Sequence, residues 1–193
     1  MSMLYLARHG ETAWNAAGRY QGALDSPLTA RGRRQATGLG RLLARLVDPS
    51  AGRLAAYVSP LGRAQETAAI IGEHLALELH PEPRIAEVSL GAWDGLTDYE
   101  IEREHPGALA GAGPFDWFFR SPDGETLAAA TQRVSAWLEE ARRPALAVSH
   151  GLTGRIIRGV RLGLSAEQML RLPVPQDGLY ALDGRSAEFI EAD

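Results

Sequence analysis

The 193-residue sequence has no cysteine and no lysine; all 20 of its basic residues are arginine. Without cysteine there is no thiolate nucleophile, no thiolate metal ligand and no disulfide. Without lysine there is no Schiff-base chemistry and no lysine-dependent phosphate loop. Long apolar runs are missing too, none approaching the ~18 residues that a membrane-spanning helix needs. The opening "MSMLYLARHG" has neither a basic n-region nor a long apolar h-region, so no signal peptide is expected and a cytoplasmic location is the default. Positive charge is not in excess. A net charge of −4 gives no general attraction to nucleic acid or to an anionic membrane, and neither is expected as a partner. The arginine bias, beside abundant Ala, Gly and Leu, reads as the mark of a GC-rich genome rather than of a function.

What is present is 45% apolar and 23% charged, the profile of a soluble globular chain. The length suits one domain over residues 1–193 with a core that needs neither disulfides nor metal. Residues 3–8 read as a short buried strand, and 12–28 as a loop. Thr29 caps a helix to about Val47, with Leu39, Leu42, Leu43 and Leu46 on one face. Residues 54–59 read as a second strand, followed by a helix to about 76. Residues 80–97 read as loop with a short strand near 85–88, and 97–105 as a short polar helix. Residues 106–124, rich in Gly and Pro, form an irregular excursion, so that a capping insertion spans about 88–124. A long helix covers 125–142, a third buried strand 145–149 and a further helix 151–163. Two short strands, 179–183 and 187–192, close the chain as a hairpin about Asp183-Gly184. Strands alternating with helices predict an α/β three-layer sandwich, its mostly parallel central sheet flanked by helices.

Ligands of such sheets bind outside the carboxyl ends of the strands. The first strand delivers Arg8 and His9 there, the second Ser59 and then Arg63, and the third His150 and Gly151. Each alone reads as a structural histidine or a surface arginine. Together, beside glycines and helix N-termini, they predict an anion site, because guanidinium forks match phosphate oxygens in geometry and charge. Arginines beside His9 also disfavour its imidazolium form, and neutral imidazole is the form that can attack.

The motifs carry a resemblance. "RHGET" with Asn15, "GRYQGALDSPLTARGRRQA", "SPLGRAQETA", "EVSLGAWDGLT" and "VSHG" follow one another in the order found in the histidine phosphatase superfamily, the phosphoglycerate-mutase-like group. The resemblance runs over residues 4 to about 163 and is specific as an ordered set. It implies that His9 is the nucleophile forming a phosphohistidine, that Arg8, Arg63 and His150 hold the non-transferred oxygens, and that Glu87 is the proton donor and acceptor. On composition alone Glu11 and Asp94 rival Glu87; position in the motif selects it, and Glu11 is expected to pair an arginine instead. Gly10 and Gly151 are expected to admit the phosphate closely. Asn15 either donates to a phosphate oxygen or forms a turn. Gln21 and Gly22 match the substrate-contacting loop.

The resemblance implies no cofactor, and no metal spacing joins His74, His80 and His105. The partner is a small phosphorylated substrate, and a homodimer through the closing strands stays open. Between Glu87 and His150 no double arginine is followed by a run of prolines, and within the family it resembles this favours a phosphatase over a cofactor-dependent phosphoglycerate mutase. A phosphate-binding relative without activity is the third reading. The aromatic residues Phe115, Trp117, Phe118 and Phe119 either pack under the excursion or wall the pocket, and Arg120 can meet a carboxylate or second phosphate.

Overall fold

The computed structural model describes residues 3–113, 116–142 and 144–192. Its centre is a six-stranded sheet in the order β3-β2-β4-β1-β5-β6, made of β1 (Leu4–Arg8), β2 (Leu54–Val58), β3 (Leu77–Pro81), β4 (Ala145–Ser149), β5 (Gly178–Leu182) and β6 (Ala187–Glu191). β3, β2, β4 and β1 run parallel, and β5 pairs antiparallel with both β1 and β6. The expected α/β class, with its mostly parallel sheet between helical layers, is what the structure has.

The helices are α1 (Ala13–Ala16), α2 (Ala30–Leu46), α3 (Gly62–Gly72), α4 (Asp98–Glu104), α5 (Leu127–Glu140), α6 (Gly151–Leu162) and α7 (Ala166–Leu170). Strand alternation builds the two cores. From β4, Ala145 and Ala147 join α5 and α6 on one face, with Val134, Trp137, Ile156 and Ile157. Leu146 and Val148 join α2 and α3 on the other, with Leu39, Leu43, Ala64 and Ile71. β4 is buried at every residue because both of its faces are covered. Each fully buried Leu or Ile contributes roughly 1.5–3 kcal/mol. No helix among the described residues is long and apolar enough to cross a membrane.

Four expectations are corrected. The helix predicted to residue 76 ends at Gly72, because the chain turns at 73–75 to enter β3. β3 itself was not expected: it is a sheet edge with exposed Glu78 and Leu79, so it lacks the alternation of a half-buried strand. In place of a strand at 85–88, residues Pro83–Ile85 form a 3-10 turn capped by Glu82, whose side chain accepts from the Arg84 N–H. The loop expected over 12–28 contains α1, closed by a capping box between Thr12 and Asn15. Within 88–124, Leu90, Trp93 and Ile101 are buried, with Tyr20, Leu96, Trp117 and Phe118 packed on them. Phe115 and Arg143 lie outside the described residues.

Candidate active site

Parallel pairing places the three strand ends side by side. Arg8 is level with Ser149 across the β1–β4 ladder, and Val58 with Val148 across β2–β4. The next residues of β1 and β4 are therefore His9 and His150, whose ring centroids lie 5.1 Å apart. A cavity of about 430 Å³ opens at these ends. Its lining includes Arg8, His9, Asn15, Gln21, Gly22, Arg63, Glu87 and Gly151.

His9 is buried, and its Nδ1 lies 2.8 Å from the Gly10 carbonyl. A carbonyl only accepts, so Nδ1 carries the proton and Nε2 the lone pair. Arg63 Nε donates to that Nε2 at 3.3 Å, consistent with the same tautomer. Burial, then Arg8 and then Arg63, hold the His9 pKa well below its ordinary 6.5. His150 is depressed in the same direction, first by burial and next by His9 and Arg63. Its Nε2 meets the Ser59 hydroxyl at 2.7 Å, while Nδ1 is buried with no partner among the described residues. His150 is not among the residues that line the cavity.

Arg8 has a buried Nε that likewise lacks a protein partner. Burial brings its pKa down to about 10, against the opposing pull of Glu87, so it stays charged at neutral pH. A buried guanidinium with a donor left over is an anion receptor. Arg63 is more committed than the sequence suggests. Its terminal nitrogens donate to the Gly22 carbonyl (2.9 Å), the Leu24 carbonyl (2.5 Å) and Asp25 Oδ1 (3.0 Å). Arg63 therefore braces the 22–25 loop against His9 as well as bringing charge to the cavity.

Glu87 sits against the N-terminus of α6. Its oxygens accept from the Leu152 N–H at 3.2 Å and from the N–H and hydroxyl of Thr153, each at 3.0 Å. It thus faces Arg8 and Arg155 across one cavity. Its rivals are occupied elsewhere. Glu11 accepts the Thr29 hydroxyl at 2.8 Å and pairs Arg31 at 3.3 Å. Asp94 accepts from the N–H groups of Leu90 (2.8 Å) and Ala23 (3.1 Å).

Asn15 and Gln21 are oriented alike. Asn15 Oδ1 accepts from Thr12 N at 3.2 Å and Gln176 Nε2 at 3.3 Å; Gln21 Oε1 accepts the Ser26 hydroxyl at 3.1 Å. Both side chains line the cavity, and among the described residues neither amide nitrogen donates to the protein. Gly22 has φ +49°, and a Cβ there would come within 1.5 Å of Asp94, so only glycine fits.

Gly10 is not among the residues that line the cavity; a Cβ on it would lie 2.3 Å from the Gly32 carbonyl, so its size serves the close approach of α2. Arg120 binds the Ala110 and Gly111 carbonyls and Asp116 rather than the cavity. Of the aromatic cluster, Phe118 reaches the lining.

Several contributors were not visible in sequence. Arg155 on α6 lines the cavity, one helical turn beyond Gly151, a spacing that could have signalled it. The segment 172–176 works as a strap. Its carbonyls at Leu172, Pro173 and Val174 accept from Arg155 (2.7 Å), Arg158 (2.5 Å) and Arg8 (2.7 Å), and Gln176 also donates to the His9 carbonyl at 2.9 Å. Among the described residues no group of His, Asp and Glu could hold a metal ion.

With this geometry in hand, comparison with known proteins is decisive. Residues 4–190 match the family described as "Histidine phosphatase superfamily (branch 1)". The chain belongs to the histidine phosphatase superfamily. This histidine phosphatase superfamily member is 38% identical over 185 residues to a protein of Enterobacter sp. (strain 638) named "Probable phosphoglycerate mutase GpmB", covering 89% of this chain and 81% of that one. Its fold matches the crystal structure of the alpha-ribazole phosphatase from Shigella flexneri with a TM-score of 0.81, at 31% identity over 98% of this chain and 95% of that chain. It matches a mycobacterial glucosyl-3-phosphoglycerate phosphatase with a TM-score of 0.76, at 27% identity over 99% and 97%.

Proposed function

We propose that this chain is a phosphomonoester hydrolase that works without a metal ion, through a phosphohistidine on His9, on a small phosphorylated substrate. The observation that carries the reading is the pairing of a neutral, buried imidazole, its Nε2 lone pair set by the Gly10 carbonyl, with Arg8, whose buried Nε has no protein partner in the same cavity. Residues 1–193 are taken as one domain, with 88–124 as its cap.

The chemistry balances in two steps. His9 Nε2 attacks phosphorus, the phosphorus–oxygen ester bond breaks, and the leaving alkoxide takes a proton from the Glu87 carboxyl. Water then attacks the phosphohistidine, gives its proton to the Glu87 carboxylate, and the phosphorus–nitrogen bond breaks to release phosphate and neutral His9. Arg8, Arg63 and the amides of Asn15 and Gln21 hold the phosphoryl oxygens. Positioning and electrostatics of this kind supply most of the catalysis in phosphoryl transfer. His150 Nδ1, free of protein partners, is a further donor once Nε2 accepts from Ser59.

A cofactor-dependent phosphoglycerate mutase is the second reading, supported by the name of the Enterobacter relative. Against it, Arg120 is engaged within the excursion rather than offered to a second anion. The test is a metal-free panel of p-nitrophenyl phosphate, sugar phosphates, alpha-ribazole phosphate and 3-phosphoglycerate, the last with and without 2,3-bisphosphoglycerate. Phosphate release by wild type, reduced at least about a thousandfold in His9→Ala, is expected. Undiminished release by His9→Ala would end the mechanism. Isomerisation that outpaces release would favour the mutase.

A further inference from the structure

Away from its buried floor, the cavity is lined by Arg19, Tyr20, Asp98 and Phe118. Arg19 forks onto Glu100 at 2.7 and 2.9 Å and donates to the Gly95 carbonyl at 2.5 Å, so its charge is cancelled by a neighbour. Asp98 is not cancelled. Its Oδ1 accepts the Tyr20 hydroxyl at 2.8 Å, and no cation pairs with it among the described residues. Tyr20 is fixed in turn, edge-on to Trp117 at 4.8 Å and to Phe118 at 5.8 Å. The remaining cation of the lining, Arg155, belongs to the floor. It is buried on α6, donates to the Leu172 carbonyl at 2.7 Å and is balanced by Glu87. The cavity is therefore cationic where a phosphoryl group would sit and anionic where the rest of the substrate would lie.

We infer that Asp98, held by Tyr20, is the specificity-determining residue for the leaving group: it accepts a hydroxyl of the departing alcohol and repels a carboxylate or second phosphate. The substrate class is then a monophosphate ester of an uncharged, hydroxyl-bearing alcohol, with the Phe118 and Leu90 side chains available to an apolar or ring face. The inference rests on the phosphatase reading of the same cavity. Asp98 is exposed at the rim; like charges brought together there penalise the wrong ligand, and a positioned acceptor rewards the right one.

A matched pair of esters isolates the effect. D-Glycerol 3-phosphate (sn-glycerol 1-phosphate) and D-3-phosphoglycerate share the configuration at C2 and differ only by a hydroxymethyl group in place of a carboxylate. Wild type is expected to favour glycerol 3-phosphate in kcat/KM by about tenfold, as like-charge repulsion at the intermediate effective dielectric of a protein surface allows. Asp98→Asn should cut that ratio at least about fivefold, and Asp98→Arg should invert it. The ratio is internal to each preparation, so partial loss of folded enzyme cancels. A wild-type preference for 3-phosphoglycerate, or a ratio within about twofold of wild type in both variants, overturns the inference. If wild type hydrolyses p-nitrophenyl phosphate while the ratio ignores Asp98, the subsite alone is wrong. If it hydrolyses none of these esters, the phosphatase reading falls and takes the subsite with it.

Discussion

At His9 the Gly10 carbonyl can only accept, so Nε2 is the nitrogen with a free lone pair, and in the proposed mechanism the burden of proton transfer falls on another residue. Glu87 is the carboxyl that lines the cavity beside it, anchored by the N–H groups of Leu152 and Thr153. An acid matters in proportion to the basicity of the group it protonates. Glu87→Gln is therefore expected to lower kcat/KM for an alkyl phosphate by about a hundredfold or more, and for p-nitrophenyl phosphate by less than about tenfold. The carboxamide oxygen keeps the two bonds from Thr153 and gives up only the one from Leu152, so folding should be little changed. Equal losses on the two substrates would show that a different group gives the proton. The sequence marked His9, Arg63 and Glu87 because each sits next to a local punctuation, a strand end or a motif. It did not mark Thr67, which accepts the Gly10 N–H at 3.1 Å, or Gln176, because their partners are distant in the chain.

Among the elements, α3 shows how the site is assembled. Its N-cap residue, Leu61, has no side chain that can cap, and Asp25, from the loop before α2, takes that place. Asp25 accepts from the Gly62 and Arg63 N–H groups and from the Arg63 guanidinium. A Cβ on Gly62 would lie 2.7 Å from the Asp25 carboxylate, which is why the helix opens on glycine. One carboxylate thus caps the helix and aims its arginine. Asp25→Ala should cost about 1 kcal/mol of stability, the usual worth of a cap, and lower Tm by about 2–4 °C in a chain of this size. It should also reduce kcat/KM, because Arg63 loses an anchor. An unchanged melting curve would refute the capping role. A cap within one segment was legible: Thr29 starts α2 as the sequence predicts. Asp25 was not, because it lies 37 residues before the helix end it serves.

Over the whole molecule, the alternation of strands and helices was legible, and with it the row of strand ends that forms the site. The sheet order was not, since no local pattern says that β4 inserts between β1 and β2. That insertion is what brings His150 beside His9 and buries two imidazoles among arginines, and it has a consequence for pH. Both histidines have folded pKa values well below 6.5, from burial first and neighbouring charge second. In the unfolded chain they titrate near 6.5. As pH falls through 6.5 the unfolded state takes up protons that the folded state refuses, so stability is full above that value and is lost progressively down toward the folded pKa values. Activity should behave differently. At pH 5.5 an ordinary histidine is about nine-tenths protonated, whereas His9 remains a neutral nucleophile. For p-nitrophenyl phosphate, kcat/KM, which reports groups of the free enzyme, should show no enzyme inflection near 6.5 while the protein stays folded. Arg8→Met removes one of the charges that depress His9 but leaves its burial, so its acid limb should move upward toward 6.5. A wild-type limb centred at 6.5 would mean that the arginines and burial do not keep His9 neutral, and the account of its nucleophilicity would fail.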